Sequence, residues 1–236
     1  MDAASLIRNS EPFLRYVLDW EAGLPTVELE AVIRDPARAA VVSVDVINGF
    51  CHAGPLASPR VKAIIAPIVR LFQRAHAAGL RHFILTQDTH DPQAVEFGQY
   101  PPHCIRGTAE AETVPEFQAL PFFNEMLVFP KNSISSTIGT GFNQWLKAHP
   151  EVDTFIAVGD CTDLCTYQLA MSLRLRANAH QLAQRVLVPA ECVDTYHLDV
   201  ATARQIGAVP HDGDLLHHIF LYSLMLNGVE IVRAIR

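Results

Sequence analysis

The sequence predicts an α/β protein: one three-layer α/β/α domain of Rossmann-like type, in which helices cover both faces of a mostly parallel, six-stranded sheet. Three observations predict this fold. Six short apolar runs alternate with segments of helical periodicity, half of the 236 residues are hydrophobic, and no linker, repeat or low-complexity tract divides the chain. Strands that are apolar throughout are typical of a parallel sheet buried on both faces. The predicted strands are 39–44, 83–86, 126–129, 154–159, 185–188 and 229–232.

The first 37 residues are predicted to form a helical N-terminal extension ahead of a domain at 38–236. A partial apolar stripe runs from Leu6 to Trp20, as expected for a helix that packs on one side. Asp35 and Pro36 then interrupt the helical pattern. The sequence therefore predicts helix within residues 3–35, before the first strand begins.

Helices are also predicted between the strands. Ser58 followed by Pro59 is a typical helix start, and Gly79 is expected to end that helix. Further helices are predicted at 141–149, 165–180, 197–207 and 212–226. A long polar, proline-rich connection runs from Gln87 to about Pro121. Because connections longer than about 12–15 residues are usually functional or disordered, its many His, Asp, Glu and Cys residues favour function.

The composition excludes several classes of function. The formal net charge is −7 and the pI is about 5.8, so the basic face of a nucleic-acid-binding protein is not expected. No apolar run is long enough to span a membrane, and the N-terminus lacks the pattern of a secretory signal. Five cysteines, an odd number in a long chain, indicate a reducing environment rather than a disulfide framework. We therefore expect a cytoplasmic protein without nucleic-acid or membrane partners.

Three reactive side chains follow predicted strands. Asp45 comes after the first strand, Lys131 after the third, and Cys165 in the first turn of the helix after the fourth. Because the carboxyl ends of parallel strands meet at one edge of a sheet, we expect these residues to lie close together. The carboxylate could take a proton from the thiol and later give it to a leaving amine, while the ammonium stabilises both. Considered singly, they could also be a loop-capping aspartate, a solvated lysine and a buried structural cysteine.

The turn before the last of these helices contains two cysteines. Because a helix N-terminus stabilises negative charge, its position predicts a lowered pKa for the Cys165 thiol. Unpaired N–H groups of this turn could form an oxyanion hole. Cys161 lies four residues earlier, and spacing alone does not decide which cysteine is the nucleophile. The same spacing permits a disulfide between them.

A second group of polar residues indicates a metal site. Asp88 and His90 come directly after the second strand, and His103 lies further along the polar connection. One carboxylate and two imidazoles can bind a divalent ion and leave positions open for a ligand. Further candidates as ligands or as partners of ligands are Cys104, Glu96 and His52.

The chain has eleven histidines, a high number that draws attention to metal and acid–base chemistry. A second cluster lies near the C-terminus, at His211, His217 and His218. His217 and His218 are adjacent on a predicted helix and therefore point to different sides. The cluster is interpreted as helix surface or subunit contact, and not as a second metal site.

Through these residues the chain resembles the isochorismatase-like cysteine hydrolases and, within them, the plant-type nicotinamidases. The resemblance covers roughly residues 38–236. The motifs are Val-Asp-Val-Ile-Asn-Gly-Phe-Cys at 44–51, Asp-Thr-His at 88–90, Tyr-Pro-Pro-His-Cys-Ile-Arg-Gly-Thr at 100–108, Lys131, and Gly-Asp-Cys-Thr-Asp-Leu-Cys at 159–165. The run Pro-Pro-His-Cys-x-x-Gly-Thr is specific, because amidases of this family without a metal lack it.

The resemblance implies a nicotinamide amidohydrolase of NAD salvage that forms a thioester at Cys165. The implied catalytic residues are Asp45, Lys131 and Cys165. The implied oxyanion hole is the backbone N–H groups of Cys161 and Cys165, reached through a cis peptide between Asp160 and Cys161. The residues implied to flank the substrate ring are Phe50 and Tyr100. The implied ligands of a divalent metal, usually zinc but also iron or manganese, are Asp88, His90 and His103.

Two positions depart from the pattern of this family. Tyr100 stands where some members have tryptophan, and Glu96 lies in the interval where several members have an additional metal-binding histidine. The resemblance also implies a homo-oligomer that acts on a small molecule. The alternatives are a related amidase for another small carboxamide or ureido compound, and a non-catalytic module of the same fold.

Overall fold

Residues 1–236 are described by a computed structural model with nine strands and ten α-helices. The strands are β1 Thr26–Val27, β2 Ala39–Val44, β3 His82–Asp88, β4 Leu127–Lys131, β5 Thr154–Asp160, β6 Arg185–Pro189, β7 Val193–Asp194, β8 Glu230–Val232 and β9 Ala234–Ile235. The helices are α1 Ala3–Ala22, α2 Leu29–Val32, α3 Asn48–Cys51, α4 Pro59–Ala63, α5 Ile65–Ala77, α6 Pro115–Gln118, α7 Phe142–Ala148, α8 Cys165–Ala179, α9 Val200–Ile206 and α10 Gly213–Leu226.

The main sheet is parallel and has the order β4-β3-β2-β5-β6-β8. The predicted α/β fold with a mostly parallel sheet is confirmed. The number of strands was one too low, because β7 pairs with the end of β5 through Gly159 and Asp160 and makes a seventh strand. A strand of two residues carries no alternating pattern that a sequence could reveal.

The sheet is covered on both faces, as a three-layer fold requires. All six residues of β2 are buried, and successive side chains of a strand point to opposite faces. Val41 accordingly belongs to a core cluster of 31 residues on one face, with Phe72 of α5. Val42 belongs to a cluster of 22 residues on the other face, with Leu169 of α8 and Leu221 of α10.

The N-terminal region is less helical than the sequence predicts. Helix α1 ends at Ala22, and β1 pairs in parallel with β9 to form a separate two-stranded sheet. Helix α1 packs against α10 through edge-on contacts of Phe13, Tyr16 and Trp20 with Tyr222. The boundary at residues 37 and 38 stays a prediction. None of the helices combines the length and apolar character needed to cross a membrane.

Close packing of β2 against β5 brings the reactive residues together at the carboxyl edge of the sheet. Val44 pairs with Gly159, which has a φ of +114°. A Cβ at this glycine would lie 2.0 Å from the carbonyl oxygen of Val44, so only glycine fits there. The next residue of the first strand, Asp45, has a φ of +56°, in the left-handed region that Asp tolerates better than most residues. The two strand ends therefore meet where the turn before α8 begins.

Candidate active site

Lys131 is the centre of the buried charge at this edge. Its Nζ lies 2.7 Å from Asp45 Oδ2 and donates to Asp88 Oδ1 at 2.5 Å and to the carbonyl oxygen of Ser133 at 3.1 Å. It also donates to Cys165 Sγ at 3.7 Å. Although burial lowers it, the carboxylates of Asp45 and Asp88 hold the pKa of Lys131 well above its ordinary value. The lysine is therefore a fixed cation and not the solvated residue that is the usual alternative.

Asp45 is buried and held by its neighbours. Its Oδ1 accepts a hydrogen bond from the backbone N–H of Asp88 at 2.7 Å. Its Oδ2 lies beside Lys131 without hydrogen-bond geometry, and no other protein donor reaches it. Oxygen or sulfur atoms of Asp45, Asp88 and Cys165 all lie within 4.8 Å of one another. Burial, followed by the charge of Asp88, raises the pKa of the Asp45 carboxyl to about 7, although Lys131 lowers it.

Cys165 is the first residue of α8, as the sequence predicts. The peptide between Asp160 and Cys161 is cis, and all five cysteines are free, so the disulfide that the spacing permits is absent. The backbone N–H groups of Cys161 and Cys165 donate to no protein acceptor. Both amides are therefore available to a ligand that approaches the turn.

The prediction of a lowered thiol pKa was wrong. Burial raises the pKa of the Cys165 thiol well above its ordinary value, and Asp45 and Asp88 raise it further, whereas Lys131 lowers it. The helix N-terminus acts in the expected direction but is outweighed by desolvation and by two nearby carboxylates. The resting thiol consequently holds its proton, so a thiolate requires a base that removes it.

Asp88, His90 and His103 are buried together, with one ligand atom of each within 4.8 Å of the others. The Nε2 atoms of His90 and His103 lie 3.4 Å and 3.9 Å from oxygens of Asp88. His103 donates from Nδ1 to the carbonyl oxygen of Pro101 at 2.8 Å, and His90 Nδ1 lies 3.2 Å from Asn132 Oδ1. Both Nε2 atoms therefore face the carboxylate.

This set fits a divalent metal. His90 Nε2 is buried without a hydrogen-bond partner, the state expected of a nitrogen that ligates a metal. Burial lowers the pKa of His103, which favours the neutral imidazole that metals require. Although burial also acts to lower it, the pKa of His90 is raised instead, because the contact with Asp88 outweighs the effect of burial. Although burial raises it, Lys131 and His90 hold the pKa of Asp88 below its ordinary value, so this carboxyl is ionised. One carboxylate and two imidazoles are a common donor set for zinc.

The other candidate ligands have different positions. His52 lies at the surface, 3.2 Å from Glu116, and takes no part in the buried cluster. The sulfur of Cys104 packs against Gly49. Glu96 lies at the edge of the pocket, where burial and the charge of Asp88 raise the pKa of its carboxyl.

Both clusters open onto one pocket, which Phe50 and Tyr100 also line. Phe50 and Tyr100 each contact the ring of His103 edge-on. Seven further residues line the pocket, and the sequence did not indicate that they would do so. They are Leu56, Val61, Glu96, Ile134, Asp160, Leu164 and Tyr196. Asp160 and Leu164 belong to the motif at 159–165, and Glu96 was a candidate metal ligand. The other four are apolar or aromatic and come from separate parts of the chain, so no local motif marks them.

The C-terminal histidines are not simple surface residues. His211 and His217 are buried, and they bind Asp163 and Thr162 of the turn before α8 at 2.8 Å and 2.9 Å. His218 lies 2.5 Å from Glu21 of α1. The sequence gives no sign of these contacts, since each joins residues at least 48 positions apart.

Comparisons with known proteins identify the family of this chain. A family model described as "Isochorismatase domain" matches residues 39–209. Nicotinamidase 1 of Arabidopsis thaliana is 30% identical over 234 residues, covering 90% of this chain and 93% of the relative. The nicotinamidase/pyrazinamidase of Mycobacterium tuberculosis is 31% identical over 165 residues, covering 63% and 83%. The structure of the pyrazinamidase of Pyrococcus horikoshii in complex with zinc matches with a TM-score of 0.62 at 20% identity, covering 83% and 99%.

The matched region extends from the start of β2 past the end of α9. It therefore includes both buried clusters and the turn that precedes α8. The family that the motifs indicated and the fold that the strand pattern predicted are both confirmed. The protein belongs to the isochorismatase family and is a hydrolase of that family.

Proposed function

We propose that this hydrolase converts nicotinamide to nicotinic acid and ammonia. One observation carries the proposal: Asp45 and Cys165 of the first cluster and Asp88 and His103 of the second line the same pocket. Lys131 and His90 complete the two clusters through their contacts with Asp45 and Asp88. The first has the groups for nucleophilic attack on a carboxamide, and the second has the groups for a metal that binds a ring nitrogen. The names of the two relatives that are at least 30% identical support the same substrate.

The residues that would hold the metal are Asp88, His90 and His103, and zinc is the first expectation, ahead of iron and manganese. When bound, such an ion supplies a coordination position for the pyridine nitrogen and so helps to orient the ring. Asn132 and the carbonyl oxygen of Pro101 accept from the two imidazoles and fix their orientation. Phe50 and Tyr100 flank the same space and would hold the planar ring between them.

The reaction begins with a proton transfer from Cys165 Sγ to Asp45 Oδ2. This oxygen has no other donor, and the raised pKa of its carboxyl suits a group that takes and returns a proton near neutrality. The thiolate then attacks the carboxamide carbon, a C–S bond forms, and the carbonyl electron pair moves to the oxygen. Lys131 stays charged throughout and stabilises the negative charge of the thiolate and of Asp45.

The oxyanion would be held by the backbone N–H groups of Cys161 and Cys165, which have no protein acceptor. Donors placed in advance at a developing charge are usually the largest single contribution to such catalysis. When the intermediate collapses, the C–N bond breaks and the leaving ammonia takes the proton from Asp45. A water molecule then gives a proton to Asp45 and adds to the thioester. The C–S bond breaks, Cys165 recovers its proton, and nicotinic acid leaves.

The direct test measures ammonia release by the zinc-loaded protein from nicotinamide, benzamide and a small ureido compound. We expect turnover of nicotinamide, with benzamide slower because it lacks the ring nitrogen. Cys165→Ala should abolish release, whereas Cys192→Ala, which removes a buried thiol outside the pocket, should retain it. Mass spectrometry of a rapidly quenched reaction should detect a nicotinoyl group on Cys165.

Absence of ammonia release from nicotinamide would overturn the proposal. Turnover of the ureido compound alone would support the related amidase instead, and failure with all three substrates would support a non-catalytic module. Full activity of Cys165→Ala would leave the substrate in place but remove the thioester mechanism.

A further inference from the structure

Tyr196 forms part of the pocket that no sequence motif indicates. It comes directly after β7 and Thr195, and it lines the pocket together with Cys161 and Cys165. Its ring stacks on the imidazole of His211, with ring centroids 3.9 Å apart and an angle of 17° between the planes. The orientation of this pocket residue is thus tied to a histidine behind it.

His211 is held at both ring nitrogens. Nε2 lies 2.8 Å from Asp163 Oδ2, and Nδ1 lies 2.8 Å from the carbonyl oxygen of Tyr196. Both partners can only accept hydrogen bonds, since one is a carboxylate and the other a carbonyl. Both nitrogens of this buried ring therefore lie within hydrogen-bond distance of an acceptor, one in the turn before α8 and one in the pocket segment.

The same residues join the pocket side to the turn that holds the nucleophile. Asp163 lies between Cys161 and Cys165, and its second oxygen accepts from Thr195 Oγ1 at 2.6 Å. The backbone also bridges the two segments, because the N–H of Thr162 donates to the carbonyl oxygen of Asp194 in β7 at 3.0 Å. Movement of this segment would therefore move the turn whose amides face the pocket.

We propose that Asp163, Thr195 and His211 form a positioning network. The network orients Tyr196 toward the substrate ring and also holds the Cys161–Cys165 turn in place. Tyr196 is then a specificity-determining residue for flat aromatic carboxamides, and the three network residues act through it and through the turn. The identity of the substrate rests on the proposed function. The coupling between the pocket side and the nucleophile rests only on the contacts described above.

Different variants separate the contact of Tyr196 with substrate from the positioning of the turn. Tyr196→Leu removes the stacked ring alone, so we expect KM for nicotinamide to rise about tenfold with kcat changed less than about threefold. Tyr196→Phe keeps the ring and should restore KM to within about twofold. Asp163→Asn and His211→Gln should raise KM and also lower kcat by roughly 10–100-fold, because the turn amides lose their fixed position. His180→Gln, at an exposed histidine, is the matched control and should change neither value.

A second measurement does not depend on turnover. The rate at which iodoacetamide alkylates Cys165, followed by mass spectrometry of the full chain, reports how reactive and accessible the thiol is. We expect Asp163→Asn and His211→Gln to change the rate of alkylation at Cys165 at least about threefold relative to the wild type and to His180→Gln, because the turn that holds the thiol loses its fixed position. Thr195→Val, which removes a single hydrogen bond, should give a smaller change in the same direction and keeps the test available where a larger change prevents folding.

The two measurements separate two kinds of failure. If the wild type releases no ammonia from nicotinamide, the proposed function fails. The alkylation rates still show whether Asp163, Thr195 and His211 position the turn. Folded Asp163→Asn and Thr195→Val proteins that alkylate at the wild-type rate would overturn the network. Wild-type KM in Tyr196→Leu would overturn the assignment of Tyr196 as a residue that contacts substrate.

Discussion

The two sides of the pocket differ in how their buried polar groups are paired. On the reaction side, formed by Asp45, Lys131 and Cys165, the buried lysine is paired with carboxylates of the protein itself. On the ring side, formed by Asp88, His90 and His103, the Nε2 atom of His90 is left without a partner. Asp88 belongs to both sides, since it binds Lys131 and faces the two imidazoles. The reaction side therefore has its balancing cation within the protein, whereas the ring side has the donor set that the proposed metal would use.

The largest effect is expected on the reaction side. Lys131→Met leaves Asp45 and Asp88 buried without their cation, so ammonia release should fall by roughly 10³-fold or more. The stability of the protein in urea unfolding should fall by about 3–5 kcal/mol, the usual cost of breaking a buried ion pair. Lys147→Met, at an exposed lysine, is the control and should change neither. Unchanged stability of Lys131→Met would mean that the reaction side does not depend on pairing between the lysine and the two carboxylates.

Asp45→Asn should have the next largest effect. The amide cannot take a proton from the Cys165 thiol, whose raised pKa makes a base necessary, so kcat should fall by roughly 10²–10⁴-fold. Steady-state ammonia release measures the change, and circular dichroism verifies the fold. Retention of more than a tenth of kcat would assign the base to another group.

His90→Ala tests the ring side. We expect loss of bound zinc by elemental analysis and a fall of roughly 10–100-fold in kcat/KM for nicotinamide. Benzamide has no ring nitrogen to coordinate, so its turnover should fall much less and the preference for nicotinamide should shrink. Removal of metal from the wild type with a chelator should reproduce the same pattern. Equal losses for both substrates would mean that the ring side does not recognise the ring nitrogen of nicotinamide.

The pH dependence of stability offers a smaller effect on the reaction side. Because burial raises the pKa of Asp45 to about 7 in the folded protein, its stabilising contribution is present below the unfolded value and is lost as the pH rises through about 7. In metal-free protein, the wild type should therefore lose more stability between about pH 5 and about pH 8 than Asp45→Asn does. Urea unfolding at both pH values measures the difference, and equal losses would contradict the raised pKa.

The smallest effect is expected at His52. It pairs with Glu116 at the surface and lies outside both sides of the pocket. His52→Ala should therefore leave zinc content unchanged and kcat/KM within about twofold of the wild type, since exposed pairs contribute little. A loss of zinc in this variant would extend the ring side beyond the three buried residues.

The sequence allowed much of the site to be predicted, because its central residues follow strands. Asp45 follows β2 and Lys131 ends β4, with β3 and its last residue Asp88 between them. Parallel strands bring such ends to one edge of the sheet whatever the details of packing. The thiol of Cys165 could be placed but not its pKa, since burial depends on the whole fold. The contact between Asp163 and His211 could not be predicted, because it spans 48 residues and has no periodic signal.

In the fold, too, features with a local sequence pattern were predicted and features that depend on distant pairing were not. Six strands of the main sheet were predicted from their apolar runs, whereas β1, β7 and β9 have two residues each and depend on pairing partners elsewhere in the chain. Helix within residues 3–35 was overestimated, because Gly23 and Pro25 end the helical pattern well before Asp35 and Pro36.

The parallel pairing of β1 with β9 has a practical consequence for anyone who trims the protein. Val27 accepts a hydrogen bond from the N–H of Arg236, and Leu29 donates to the carbonyl oxygen of Arg236 at 2.6 Å, so residues near both termini are tied to each other. A shortened chain that started at residue 38, the predicted domain boundary, would leave β9 with an exposed edge able to recruit another chain. A safer cut falls before Thr26, where the loss of α1 leaves this closure intact.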